Sequence, residues 1–253
     1  MYYQPKNNLL DHKRILITGA SEGIGRQAAL TYAHHGASVL LLGRTEHKLN
    51  IVQNLIAEAG GRKARVLVFD LANTQLAPYQ GLAQILADEC LYLDGLLNNA
   101  GILGEIAPMA KQDATLWSEV IAVNINGTFM LTQALLPLLL NASSPSLIFS
   151  TSSVGRKGRA TWGAYAVSKF ATEGMMQIFA EEYTAATLRV NAINPGRTRT
   201  NMRAKAFPME APDQLKNPAD IMAIYLYLMG DDSRHKTGVS FNAQSDVKQR
   251  GMT

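Results

Sequence analysis

Tyr165 and Lys169 stand four residues apart in Trp162-Gly163-Ala164-Tyr165-Ala166-Val167-Ser168-Lys169. On a helix this spacing puts both side chains on one face, one turn apart. A free tyrosine hydroxyl titrates near 10 and is a poor proton donor at neutral pH, but a neighbouring ammonium favours the phenolate. The pair is therefore expected to work as a general acid/base, with Lys169 lowering the Tyr165 pKa. Hydroxyls that could serve the same chemistry lie upstream in Thr151-Ser152-Ser153, and Asn124 and Asn126 interrupt an apolar helical segment. Asparagine is a weak helix former, so each is either structural or a relay, and the pattern leaves both open.

These groups need a scaffold. Arg14-Ile15-Leu16-Ile17-Thr18 is an apolar strand that runs into Gly19-Ala20-Ser21-Glu22-Gly23-Ile24-Gly25, and a helical stretch follows to Gly36. Glycines at 19, 23 and 25 allow a tight turn and close approach of a pyrophosphate to the helix N-terminus. Val39-Leu40-Leu41-Leu42 suits a buried parallel strand and ends at Gly43-Arg44-Thr45. Where many dinucleotide sites place a carboxylate for the ribose hydroxyls, this chain has Arg44, whose planar fork can hold a 2′-phosphate; that points to NADP(H) over NAD(H).

The strand–helix alternation continues. A helix is expected over 46–59, a strand over 64–69 ending at Asp70-Leu71, a helix over 76–90 interrupted near Pro78, and a strand over 93–97 running into Asn98-Asn99-Ala100-Gly101. A long helix over 117–140, tightened by Pro137, leads to a strand over 146–150. The Tyr165/Lys169 helix, a strand over 188–193, a helix over 219–229 and a strand over 239–241 complete the pattern. The reading is a single α/β domain of Rossmann type over 1–253, doubly wound, with a mostly parallel seven-stranded sheet and helices on both faces.

Composition narrows the class. Of 253 residues 47% are hydrophobic and 17% charged, as in an ordinary globular protein. The net charge of +4 is diffuse, which gives no reason to expect nucleic acid as a partner. Cys90 is the only cysteine, so no internal disulfide can form. The first eight residues lack the apolar core of a signal peptide, and apolar runs such as 221–229 are too short for a bilayer. A cytoplasmic protein without membrane attachment is expected. The five histidines, His12, His34, His35, His47 and His235, have no metal-ligand spacing, and no metal is expected.

Together these motifs, in this order across about residues 10–240, make the chain similar to the short-chain dehydrogenase/reductase family in its single-domain form. Tyr3-Gln4-Pro5-Lys6, the stretches 129–140 and 162–176, and Leu228-Met229-Gly230-Asp231-Asp232-Ser233 resemble one bacterial branch of that family most. The resemblance implies that 18–25, with Gly19, Ser21, Glu22, Gly23, Ile24 and Gly25, is the phosphate-binding turn. It implies that Asp70 and Leu71 meet the adenine, and that Asn99, Ala100 and Gly101 pack on the ribose. It places Asn124, Ser152, Tyr165 and Lys169 as the catalytic set, with Tyr165 and Lys169 also touching the cofactor. Pro195, Gly196, Thr198 and Thr200 would form the turn over the nicotinamide. The implied activity is hydride transfer between NADP(H) and a small-molecule carbonyl or alcohol, in a homodimer or homotetramer.

Several positions depart from the family pattern. Glu22 fills a slot that is often basic in NADP-dependent members, Thr198 replaces a more usual Val or Ile, and the last strand ends Asn242-Ala243-Gln244. Two rivals are an NADP(H)-binding sensor without chemistry and an epimerase or dehydratase acting on a nucleotide sugar. The first conflicts with four filled catalytic positions and the second with the compact length. A substrate loop is expected over 197–216 and a flexible tail over 244–253. Trp162, Met202, Phe207 and Met209 suggest a partly apolar pocket. Arg156, Lys157, Arg159, Arg199, Arg203 and Lys205 could either ring its mouth for an anionic substrate or form a solvated rim.

Overall fold

The computed structural model describes residues 3–244, so the tail expected over 244–253 lies outside the described residues apart from Gln244. Strands β1 (Arg14–Thr18), β2 (Ser38–Gly43), β3 (Arg65–Val68), β4 (Gly95–Asn98), β5 (Ser146–Ser150), β6 (Arg189–Asn194) and β7 (Val239–Asn242) form one sheet. Their order is β3-β2-β1-β4-β5-β6-β7, and every pairing is parallel rather than mostly so.

The apolar strands are continuous because both faces are covered. Ile15, Ile17, Val39, Leu41, Leu97, Ile148 and Ile193 point into one core, which α1 (Gly23–His34), α2 (Glu46–Glu58) and α8 (Met222–Met229) close. Their neighbours Leu16, Leu40, Leu42, Leu96, Leu147, Phe149 and Val190 point into a second. That core is closed by α3 (Ala77–Glu89), α5 (Thr128–Leu140) and α6 (Gly163–Glu182). The period-two alternation of a strand thus feeds two apolar layers.

Three expectations change. Pro78 does not interrupt a helix; it sits in the first turn of α3, where its missing N–H would have had no partner anyway. The helix over 117–140 is longer and irregular. It starts as α4 (Ala114–Ile121), widens into a π-helical turn at Ala122–Gly127, and continues as α5 with Pro137 inside it. This run is long and apolar enough to cross a bilayer, with a mean hydropathy of 1.3, but half of its most apolar window is buried inside the domain. The helix expected over 219–229 begins as a 3-10 turn, Pro218–Ile221, closed by a reciprocal Asn217/Asp220 cap, and only then becomes α8.

Sheet winding reverses between β1 and β4. Ligand crevices in open α/β sheets form at such a switch point, beyond the carboxyl ends of the strands.

Candidate active site

Thr18, the last residue of β1, stitches the switch point together. Its hydroxyl accepts from the backbone N–H groups of Asn99 and Ala100, each at 2.9 Å. Asn99 Nδ2 donates back to Thr18 O at 3.2 Å, and Ser150 Oγ donates to Asn99 Oδ1 at 3.3 Å. The ends of β1, β4 and β5 are thereby locked side by side.

Above them runs the glycine turn. Gly19 has φ +65° and Gly23 φ +56°, conformations that other residues adopt at a cost. A Cβ on Gly25 would lie 2.2 Å from Gly19 O and 2.6 Å from Asn99 Nδ2. Gly25 therefore shapes the turn from behind. Glu22 precedes α1 without a side-chain capping bond, so the first-turn N–H groups of α1 have no side-chain acceptor there. Its carboxylate accepts from Asn201 Nδ2 at 3.2 Å and lies 3.8 Å from Lys48 Nζ.

The cleft encloses about 350 Å³, a volume typical of small-molecule sites. Its lining gathers nearly all the residues expected from sequence: Gly19, Ser21, Glu22, Gly23 and Ile24; Arg44 beyond β2; Asp70 and Leu71 beyond β3; Asn99, Ala100 and Gly101 beyond β4; Ser152 beyond β5; Tyr165 and Lys169 on α6; and Pro195, Gly196, Thr198 and Thr200 beyond β6. Gly25 and Asn124 stand behind this lining.

Arg44 is exposed and has no ion-pair partner among the described residues. Lys48, in the first turn of α2, joins it in the lining. Sequence reasoning missed Lys48; its signal was a second cation four residues after Arg44, at helical spacing. Asp70 closes its own turn by accepting from Ala72 N at 3.0 Å. Gln244 was missed as well. Its amide donates to Pro195 O at 2.9 Å and Arg197 O at 3.0 Å and pins the turn after β6, where Gly196 has φ +72°. Thr198 is buried and donates to Pro195 O at 3.1 Å, whereas Thr200 caps α7 (Asn201–Ala206) by accepting from Arg203 N at 3.1 Å.

The reacting end is built from β5 and α6. Tyr165 is 8% exposed and its hydroxyl lies beside Ser152. Lys169, 6% exposed, donates from Nζ to Ser150 O at 2.8 Å, and the same nitrogen lies 5.6 Å from the Tyr165 ring centroid. The electrostatics differ from expectation. Burial pushes the Tyr165 hydroxyl up to about 12, with the Ser152 hydroxyl beside it acting the other way. The lowering expected from Lys169 is not seen, because burial disfavours the ammonium itself and brings Lys169 down to about 8.

Asn124 sits in the π-helical turn, 2% exposed, directly behind Gly101. Its Oδ1 accepts from Ile102 N at 2.8 Å; its Nδ2 donates to Ile102 O at 2.9 Å and Ser168 Oγ at 3.0 Å. Asn124 thus holds the wall after β4 to α6. π-helical turns recur at functional sites because the wider turn frees backbone groups and re-aims side chains. Arg156, one of the expected basic rim residues, instead faces β7 and Glu173, donating to Glu173 Oε1 at 3.0 Å and Asn242 Oδ1 at 2.9 Å.

A short-chain dehydrogenase family model matches residues 13–211. The oxidoreductase YciK of Escherichia coli K12 is 59% identical over 248 residues, covering 98% of each chain. A short chain dehydrogenase from Shigella flexneri 2a, solved in complex with NADP, is 58% identical, with a TM-score of 0.93 over 94% of this chain and 100% of that one. A second, from Escherichia coli CFT073 in complex with NADPH, is 59% identical, with a TM-score of 0.93 over 95% of this chain and 100% of that one. With its parallel sheet, its glycine turn and its Tyr165/Lys169 helix at the same edge, the chain belongs to the short-chain dehydrogenase family of oxidoreductases.

Proposed function

We propose that the protein is an NADP(H)-dependent oxidoreductase that interconverts a carbonyl and an alcohol, with Tyr165 as general acid/base. The observation that carries this reading is the Tyr165 side chain, beside Ser152 and with Lys169 Nζ 5.6 Å from its ring centroid, at one end of a cleft that leads back to Arg44, which has no ion-pair partner among the described residues.

The residues fit the cofactor. The left-handed glycines and the α1 N-terminus can cradle a pyrophosphate. Arg44 offers a bidentate fork to a 2′-phosphate, and Lys48 adds a second positive charge. Glu22 would repel that phosphate, but Asn201 and Lys48 already engage its carboxylate. The NADP and NADPH complexes of relatives near 59% identity support the same assignment. When bound, NADP(H) supplies or accepts the hydride.

The protein's own residues do the rest. Tyr165 gives its proton to the substrate oxygen, or takes it from the alcohol. Ser152 hydrogen-bonds that oxygen as charge develops on it, as an oxyanion donor does. Lys169, brought to about 8, exchanges a proton readily near neutral pH and can restore the Tyr165 proton. Asn124 acts as a positioning residue that keeps the wall at Ile102 fixed to α6.

The test is NADPH consumption against a panel of aldehydes, ketones, quinones and β-ketoacyl thioesters, with NADH in parallel. Turnover with NADPH is expected, and Tyr165→Phe should lower it by about 100- to 10,000-fold without a comparable loss of NADPH binding. Turnover that survives in Tyr165→Phe would remove Tyr165 as the acid. Tight NADPH binding with no turnover of any carbonyl would overturn the reductase reading.

A further inference from the structure

Past Tyr165 the cleft runs between the start of α6 and α7, and its character changes. Trp162 lies 5.7 Å from the Tyr165 ring on one side and 5.7 Å from Phe207 on the other. Met202 and Ala206 pack beside Leu103 against Tyr165. Arg44, Lys48 and Asp70 are at the opposite end, around β2 and β3, Glu22 lies between the ends and is engaged by Asn201 and Lys48, and Lys169 is turned to Ser150. Among the described lining residues, Arg203 is then the one charged side chain at the substrate end.

Arg203 is already engaged by a carboxylate. Its Nε and Nη2 grip both oxygens of Glu210, at 2.5 and 2.7 Å. Arg197 reaches the same carboxylate at 2.6 Å. The Arg203 hydrogen bonds, followed by those from Arg197, hold the Glu210 carboxyl down at about 2, so the clamp stays charged at any working pH. The guanidinium also lies over Phe207, with Cζ 3.7 Å from the ring centroid. Glu210, Arg203, Phe207, Trp162 and Tyr165 thus form one continuous chain of contacts from the loop to the reacting side chain, the rings tilted against one another at 47°.

Resting on the reductase reading above, we propose that this end of the cleft selects an uncharged, flat carbonyl compound, an aromatic or conjugated ketone or aldehyde, whose ring packs against the joined wall of Trp162 and Phe207. Glu210 sets that selectivity by occupying Arg203. Aromatic walls favour offset or edge-on ring contacts. A carboxylate or phosphate placed there would lose water and find its counter-charge already taken, which works against the competing substrate as directly as the aromatic wall works for the right one. The anionic substrate that a basic rim suggested is disfavoured by the same residue, Arg203, that seemed to invite it.

The experiment compares acetophenone with 4-acetylbenzoate, which differ by one carboxylate. Each is titrated calorimetrically into protein saturated with NADP+, and each is assayed for NADPH turnover. Acetophenone is expected to bind about tenfold or more tightly than 4-acetylbenzoate. In Glu210→Gln the freed Arg203 should bring the two within about threefold, and adding Arg203→Gln should take that gain away again. Trp162→Ala should weaken acetophenone about tenfold, independently of the clamp. Equal binding of the two compounds to the wild-type protein would overturn the proposal, as would an unmoved ratio in a folded Glu210→Gln variant. If acetophenone binds selectively but neither compound is reduced, the selective slot stands and the reductase reading falls. If other carbonyls are reduced and acetophenone does not bind, the reductase reading stands and the slot falls.

Discussion

Burial decides the behaviour of Lys169 and Tyr165. Lys169 is brought from 10.5 to about 8 inside the fold, so below about 8 both folded and unfolded chains carry the ammonium and the fold bears the cost of burying it. As pH rises from about 8 to 10.5 the folded lysine is already neutral while the unfolded one still binds its proton, and that cost is lifted. Urea unfolding at several pH values should therefore show the wild-type protein gaining about 2 kcal/mol over Lys169→Met between pH 7 and pH 10. A difference that stays flat would mean the lysine is not depressed. The series stops at pH 10, because Tyr165, raised to about 12, loses stability above that point as the unfolded tyrosine ionises first. The residue types of this pair were legible at i, i+4 spacing. The direction of the Tyr165 shift was not, because charge proximity can be read from spacing but burial to 8% exposure depends on the whole fold.

Elements were legible where local chemistry and packing agree. Val39-Leu40-Leu41-Leu42 reads as a buried strand because it is covered on both faces. Pro78 misled because proline breaks a helix interior but suits its first turn, and which of the two applies depends on where the helix starts. The glycine turn carries a sharp expectation. Gly25→Ala drives a Cβ to 2.2 Å from Gly19 O, which no flexible side chain can relieve, and should lower stability by about 1–3 kcal/mol and weaken NADPH binding. Gly81→Ala in α3, where nothing lies within 4 Å of the added carbon, should be neutral or stabilise by up to about 1 kcal/mol. Thermal unfolding and an NADPH fluorescence titration of the two variants check both. Equal effects would show that the close approach at Gly25 is not what constrains the turn.

For the whole molecule, the seven-stranded sheet follows from the alternation of apolar strands and helices, whereas the strand order and register depend on packing between segments far apart in the chain. Subunit association is less visible. Val167, Phe170 and Ile178 form an exposed stripe along α6, 40%, 46% and 59% exposed, and Phe129 is exposed on α5. Gly174 keeps that stripe open, since nothing lies within 4 Å of where its Cβ would be. Single exposed apolar residues are common, whereas an aligned row suits a self-complementary interface. The prediction is a homo-oligomer through α5 and α6 that Phe170→Glu with Ile178→Glu converts to a monomer in sedimentation velocity. An unchanged mass in the double variant would place any association elsewhere.

The widened turn at Ala122–Gly127 makes its helix a gauge of phase. Val123, Gly127, Leu131, Leu135 and Leu139 are buried at intervals of four residues. In a regular α-helix each such interval overshoots a full rotation by about 40°, so four of them would carry the row about 160° around the axis. The extra residue in the π turn takes back about 100° of that drift and returns Leu131 and Leu135 to the sheet. It follows that the turn absorbs one residue without turning α5, so the extra residue serves what sits in the turn rather than the packing beyond it. Deleting one residue within 122–127 would let the run close as a regular α-helix with Leu131 and Leu135 still facing the sheet, and would remove the widened turn that holds Asn124 against Ile102.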